Sequence, residues 1–110
     1  MERQIKYLLK SGWLRLYLGD TMIGKLRIRD LDQIGAFIEE LNVKPKYQNQ
    51  GHGKFLYDEA VRLAIEADCK TISLYCACIN TDAIRFYERE GMFIVYATGK
   101  KVYYLMTKQI

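Results

Sequence analysis

The sequence predicts one α+β domain of layered type: a mixed, mostly antiparallel sheet with two helices. Three observations predict it. The first third alternates apolar and polar residues with period two, the middle switches to helical spacing over residues 53–67, and a β-like run at 71–78 follows that helix directly. A strand, a helix and a strand in succession imply parallel pairing with a crossover, while the short turns elsewhere imply antiparallel neighbours. The chain has 110 residues and shows no repeat, low-complexity tract or linker, so residues 1–110 are expected to share one core of modest size.

The elements follow in order. IKYLL (5–9) and WLRLYL (13–18) read as strands joined by Lys10-Ser11-Gly12, and MIGKLRIR (22–29) alternates Lys25, Arg27 and Arg29 with Leu26 and Ile28. IGAFIEELNV (34–43) suits either helix or strand by composition. Pro45 just beyond it and the β-branched Ile34, Ile38 and Val43 favour strand. In the helix at 53–67, Leu56, Ala60, Leu63, Ala64 and Ala67 share a face, with Asp58, Glu59, Arg62 and Glu66 largely opposite. TISLYCAC (71–78) is a buried strand. Asn80-Thr81-Asp82 starts a second helix, 81–90, which Gly91 stops, and MFIVYA and VYYLMT form a last hairpin around Thr98-Gly99-Lys100-Lys101.

Half the residues are hydrophobic and there is one proline, which excludes a disordered chain. No apolar run approaches the roughly 20 residues of a membrane span, and MERQIKYLLKSG is too polar for a signal peptide, so a cytoplasmic protein without membrane contact is expected. The net charge of +4 suits an anionic ligand but falls short of a dedicated nucleic-acid binder. Lys44, Lys46 and Lys54 stand in an acid-free stretch around a glycine loop, and Lys100, Lys101 and Lys108 in another near the C-terminus. Cys69, Cys76 and Cys78 are an odd set without a secretory context, so no disulfide is expected. With His52 the only histidine, Cys76-Ala77-Cys78 reads as buried strand cysteines and no metal site is expected.

Two stretches carry candidate chemistry. In YQNQGHGKFL (47–56), a strand has just ended and a helix begins near Gly53. The first amides of a helix lack internal partners and sit at the positive end of its dipole, so they accept phosphate oxygens. Gly51 and Gly53 would let a ligand approach the backbone, and Gln48 and Lys54 would add a neutral donor and a charge. The loop matches neither G-x-x-x-x-G-K-[ST] nor G-x-G-x-x-G. In CINTDAIRFYEREGMF (78–93), Asn80 is placed to cap the helix or reach a ligand. Ala83, Phe86, Tyr87 and Glu90 fall near one helical face. Phe86 and Tyr87 read as core aromatics, and a tyrosine at a cleft also serves as a proton donor.

Taken together, Leu41-x-Val43, Gln48-x-x-Gly51-x-Gly53 and Asn80-x-x-Ala83-x-x-Phe86-Tyr87-x-x-x-Gly91-Met92-Phe93 resemble the GNAT-fold N-acetyltransferases. The resemblance implies parallel strands 34–43 and 71–78 that splay apart, with the pantetheine arm of acetyl-CoA between them. It implies that the backbone of Leu41 and Val43 pairs with that arm and that the amides of Asn49, Gln50, Gly51, His52, Gly53 and Lys54 hold the pyrophosphate. Asn80 would bind the pantetheine or phosphate region, and Lys44, Lys46 or Lys54 the 3′-phosphate. It further implies direct acetyl transfer to an amine with no acyl-enzyme, Tyr87 as acid toward the departing CoA thiolate, and a backbone N–H near Val43 for the oxyanion. Glu39 or Glu40 is the expected base. Strand alternation turns only one of them toward the acceptor, Glu39 in a regular strand and Glu40 if a bulge intervenes. His52 is expected to be an exposed bystander at a variable position of the loop.

The chain departs from the family in lacking the helices that usually separate the first two strands. The acceptor side is then open, or completed by a second subunit in a homodimer, and suits an amine on a protein or an exposed small molecule. Two rival readings stand beside this one: a non-catalytic module that binds acetyl-CoA or CoA to regulate a partner, and a nucleic-acid binder using Lys25, Arg27 and Arg29. The second ranks last because no exposed aromatics are interleaved with that stripe.

Overall fold

In the computed structural model, which describes residues 2–8, 10–100 and 102–110, the chain forms β1 (Arg3–Leu8), β2 (Trp13–Leu18), β3 (Thr21–Arg29) and β4 (Gly35–Val43) before the first helix, α1 (His52–Glu66). There follow β5 (Thr71–Ala77), α2 (Thr81–Arg89), β6 (Phe93–Thr98) and β7 (Tyr103–Gln109). Leu9 and Lys101, expected in the first strand and the last turn, lie outside the described residues. The sheet order is β1-β2-β3-β4-β5-β7-β6. All its pairs are antiparallel except β4 with β5. Residues 35–43 form a strand, as Pro45 and the β-branched residues suggest, with Ile34 just before it, and Pro45 opens a single 3-10 turn (Pro45–Tyr47).

The parallel pair is short. Gly35, Ala36, Phe37 and Ile38 face Thr71, Ile72, Ser73 and Leu74, and the register ends there. β4 runs on to Val43 and β5 to Ala77 with no ladder between them, so the sheet opens into a V.

One face of the sheet holds the core. Leu14, Leu16, Leu26, Ile28, Ile38 and Ile72 are buried there, and α1 lies across β3 and β4 with Leu56, Tyr57, Ala60 and Ala64 buried beneath it. Ala67, expected on the same stripe, is exposed, because α1 has ended by then. The second helix sits on the same side: the Tyr57 ring meets Phe86 and Tyr87 at centroid distances of 6.0 and 6.2 Å. Among the described residues no helix covers the opposite face, because β1 and β2 are joined by a tight turn closed by Ser11 N–H donating to the Leu8 carbonyl. Truncating a residue sealed at the centre, Leu26→Ala, is expected to cost about 2–5 kcal/mol. A urea titration that leaves its slope unchanged and lowers its midpoint would show that loss.

A bulge interrupts the β3–β4 ladder: Arg27 faces Glu40 while Ile28 faces Ile38, leaving Glu39 as the extra residue. This corrects the expectation that alternation sends only one glutamate to the acceptor face. Both carboxylates emerge on the uncovered face. Glu39 lies 3.3 Å from Arg29 and 3.6 Å from Arg27, and Glu40 3.3 Å from Lys25.

Candidate active site

The open end of the V is the mouth of a cleft of about 730 Å³, within the usual range for small-molecule sites. One wall is the end of β4, still paired with β3 but open on its β5 side, where Leu41 and Val43 line the cleft. The opposite wall is α2, whose Ala83, Phe86 and Tyr87 face inward as their helical spacing requires, with Glu90 just past its end. The floor is the turn before α1, contributing Gln48, Asn49 and Gly51, with Gly53 and Lys54 from the first turn of the helix.

The turn is built for close approach of a ligand. Gly51 sits at φ +86° as the residue before the helix, and Asn49 at φ +61°. A Cβ on Gly51 would meet nothing within 4 Å, and one on Gly53 would meet only the Val43 Cγ2 at 4.0 Å. The first intrahelical bond runs from Phe55 N–H to the Gly51 carbonyl at 3.1 Å, so the amides of His52, Gly53 and Lys54 precede the ladder. No side chain caps this end, and its first turn holds no acid. The positive end of a 15-residue helix therefore meets the cleft without a counter-charge from its own first turn.

The side chains predicted for this loop divide. Gln48 lines the cleft, but its Nε2 donates to the Val43 carbonyl at 2.9 Å, so its amide braces the loop against β4 instead of offering a donor. Gln50 stays outside the cleft and donates to the Lys46 carbonyl at 3.2 Å. Lys54 borders the cleft, yet its ammonium is 2.8 Å from Glu90 and 3.3 Å from Asp58. That Glu90 bond is the main cause of its raised pKa. Neither Lys44 nor Lys46 lines the cleft; Lys46 lies over the Tyr47 ring at 5.8 Å. The cleft's other cations are Arg85 and Arg89 of α2, which the sequence reading missed. Their spacing from Asp82, i+3 and i+7 on one helical face, is the signal that could have found them.

His52 is a correction. It is not exposed at the helix start but buried, its ring set edgewise against Tyr47 at 6.5 Å, and it does not line the cleft. Its Nδ1 has no hydrogen-bond partner among the described residues. Burial, then the positive charge of Arg3, lowers its pKa below 6.5. The folded state thus binds fewer protons than the unfolded one at mildly acidic pH. The neutral ring's contribution to stability is present above pH 6.5 and is lost as the pH falls below it. His52→Gln is expected to flatten the decline of the melting temperature between pH 7 and 5, by a small amount, in thermal scans.

Asn80 caps α2, its Oδ1 accepting from Ala83 N–H at 3.2 Å, and it also borders the cleft. Tyr87 is 9% exposed and packed 5.2 Å from Phe86. Burial foremost, then Cys76 and Tyr57, drives its phenol well above the ordinary value, so it stays protonated across the neutral range. Tyr57 behind it is pushed up to about 12, again mainly by burial, and its hydroxyl is buried with no partner among the described residues. Cys76 is buried and its thiol pushed up by that burial, which removes it as a nucleophile. Cys78 is only half-buried, one residue past the strand. Lys108, from the C-terminal basic cluster, donates to the Glu90 carbonyl at 2.9 Å and so secures the end of α2.

A parallel pair that parts after four residues, with helix amides at the base of the gap and a buried phenol on its far wall, is the arrangement of the GNAT-fold acetyltransferases. The sequence model of the acetyltransferase (GNAT) family matches residues 2–92, and the chain belongs to that family. It is 33% identical over 70 residues to GCN5-related N-acetyltransferase 2, chloroplastic, of Arabidopsis thaliana, covering 64% of this chain and 26% of that protein, so it spans about a quarter of that relative. Among solved structures it resembles Ard1 from Thermoplasma volcanium, at a TM-score of 0.82 and 20% identity over 90% of this chain and 70% of that one. It also resembles the PaiA N-acetyltransferase of Thermoplasma acidophilum in complex with coenzyme A, at 0.78 and 25% over 89% and 60%. Arabidopsis thaliana Naa50, in complex with the bisubstrate analogue CoA-Ac-MVNAL, gives 0.76 and 21% over 91% and 74%. Among the described residues no helix is long and apolar enough to cross a membrane.

Proposed function

We propose that this chain transfers acetyl from acetyl-CoA to a primary amine by direct attack. The observation that carries the reading is the gap between β4 and β5, which ends at the uncapped amides of α1. The gap-side edge of β4, at Leu41 and at the N–H of Val43, whose carbonyl Gln48 already holds, would pair with the pantetheine arm as an added strand does. The amides of residues 52–54 would hold the pyrophosphate, with Arg85 and Arg89 supplying the charge that Lys54, bound to Glu90 and Asp58, does not. The coenzyme A complexes among the structural relatives support the same donor.

The donor supplies a thioester carbonyl open to attack. An ammonium of lysine type, pKa about 10.4, must lose its proton first. Glu40 is the better placed base: a single ammonium holds it, whereas two guanidinium groups hold Glu39. A backbone N–H at the end of β4 stabilises the charge developing on the carbonyl oxygen. Tyr87 donates a hydrogen bond to the departing sulfur. A thiolate of ordinary basicity, pKa about 8.5, does not strip a phenol held this high, so the sulfur takes its proton finally from solvent.

The test is incubation with acetyl-CoA and a panel of amines and peptides, read by thiol release and by addition of one acetyl mass. Release matched by product supports transfer. Saturable acetyl-CoA binding with no release on any acceptor supports instead the regulatory module, a reading favoured by the ion pairs that hold both glutamates.

A further inference from the structure

The face of the sheet opposite the helices is divided by charge. Register places Lys6 of β1, Arg15 of β2 and Lys25, Arg27 and Arg29 of β3 on it together. Across from them stand Glu39 and Glu40, and Asp30 lies 3.6 Å from Arg29 at the end of the strand. Five cations meet three carboxylates, and among the described residues neither Lys6 nor Arg15 has a carboxylate within ion-pair distance. On the other side of the gap the same face is aromatic: Tyr75 is 48% and Tyr96 49% exposed, and Phe37 packs against Tyr75 at 5.3 Å. The two halves meet at β4, where the glutamates and the opening of the V lie.

An acceptor reaching Glu40 from this face must cross one half or the other. Neighbouring strands are about 4.8 Å apart, so the β3 cations lie one strand from β4 and Arg15 two strands away. An extended peptide advances about 3.3 Å per residue, which sets its second to fourth residues over those cations when its amine is at Glu40. We propose, resting on the acetyl-transfer reading above, that the acceptor is a peptide amine followed closely by acidic residues, which this cationic half of the open face recognises. Such a carboxylate also competes with Glu40 for Lys25 and so releases Glu40 toward the amine.

The test uses two labelled hexapeptides with free N-termini, one with Asp or Glu at its second to fourth positions and one with Lys there. Transfer and equilibrium binding in the presence of CoA are measured for both. The acidic peptide should bind and react roughly fivefold better or more, and the margin should shrink in high salt. Arg15→Glu, an exposed change remote from the cleft, should erase the margin while leaving CoA affinity unchanged, and Lys6→Glu should reduce it. Equal or reversed preference, or a preference indifferent to Arg15→Glu, overturns the proposal. Preferential binding of the acidic peptide without transfer upholds this surface and refutes transfer alone. Tighter binding of a uridine oligonucleotide that Arg15→Glu abolishes overturns it in favour of nucleic acid.

Discussion

Gly53→Asp is expected to abolish the rise in melting temperature that acetyl-CoA gives the unaltered protein, while leaving the free protein at least as stable. Room exists for the new side chain, since a Cβ at this position meets only the Val43 methyl at 4.0 Å. An acidic residue in the first turn also complements the helix dipole. The loss is therefore one of binding. A carboxylate about 4 Å from a phosphate costs about 4 kcal/mol at an effective dielectric of about 20, close to a thousandfold in affinity. Gly51 behaves differently: at φ +86° any side chain is strained, so Gly51→Ala should lower the melting temperature of the free protein as Gly53→Ala does not. Thermal scans of these variants with and without acetyl-CoA separate the two effects.

The second large effect is expected at Glu40. Glu40→Gln should lower kcat by about 10²- to 10⁴-fold, the usual worth of a positioned base, with CoA affinity unchanged. The residual rate should climb steeply with pH as free amine becomes available without the protein's help. Glu39→Gln should cost much less, since Glu39 serves to tie Arg27 and Arg29 to the bulge. Tyr87→Phe should slow transfer and leave donor binding near normal. Its packing against Phe86 and Tyr57 does not need the hydroxyl. Steady-state rates beside calorimetric CoA titrations check all three, and a Glu40→Gln enzyme with full kcat removes Glu40 as the base.

Much of this site could be read from the chain because local chemistry determines it. The positive-φ glycine, the uncapped helix start and the inward row Ala83, Phe86, Tyr87 and Glu90 each follow from a few consecutive residues. The 34–43 stretch, ambiguous by composition, resolved correctly because proline and β-branched residues act locally. What escaped depends on partners distant in sequence. The bulge at Glu39 exists only against β3, and with it the shared face of Glu39 and Glu40. Along the chain Lys54 is one of three candidate phosphate ligands beside Lys44 and Lys46, but Glu90, 36 residues on, holds it. His52 reads as an exposed loop residue until Tyr47 folds beside it. The Lys25–Arg29 stripe shows no aromatic along its own strand, yet Trp13 lies within 5.1 Å of Lys25 and Phe37 within 4.5 Å of Arg29. Aromatics are thus interleaved across strands, which a reading along one strand cannot see.

In the proposed reaction the donor is held in the gap between β4 and β5 by the first amides of α1. Amide hydrogen exchange with and without CoA reads this out residue by residue. Protection should rise at His52, Gly53 and Lys54 and along the free edge of β4 at Leu41 and Val43, with Ile72 and Leu26 in the sealed ladders unchanged. Bound CoA that leaves those five amides exchanging as in the free protein would contradict it.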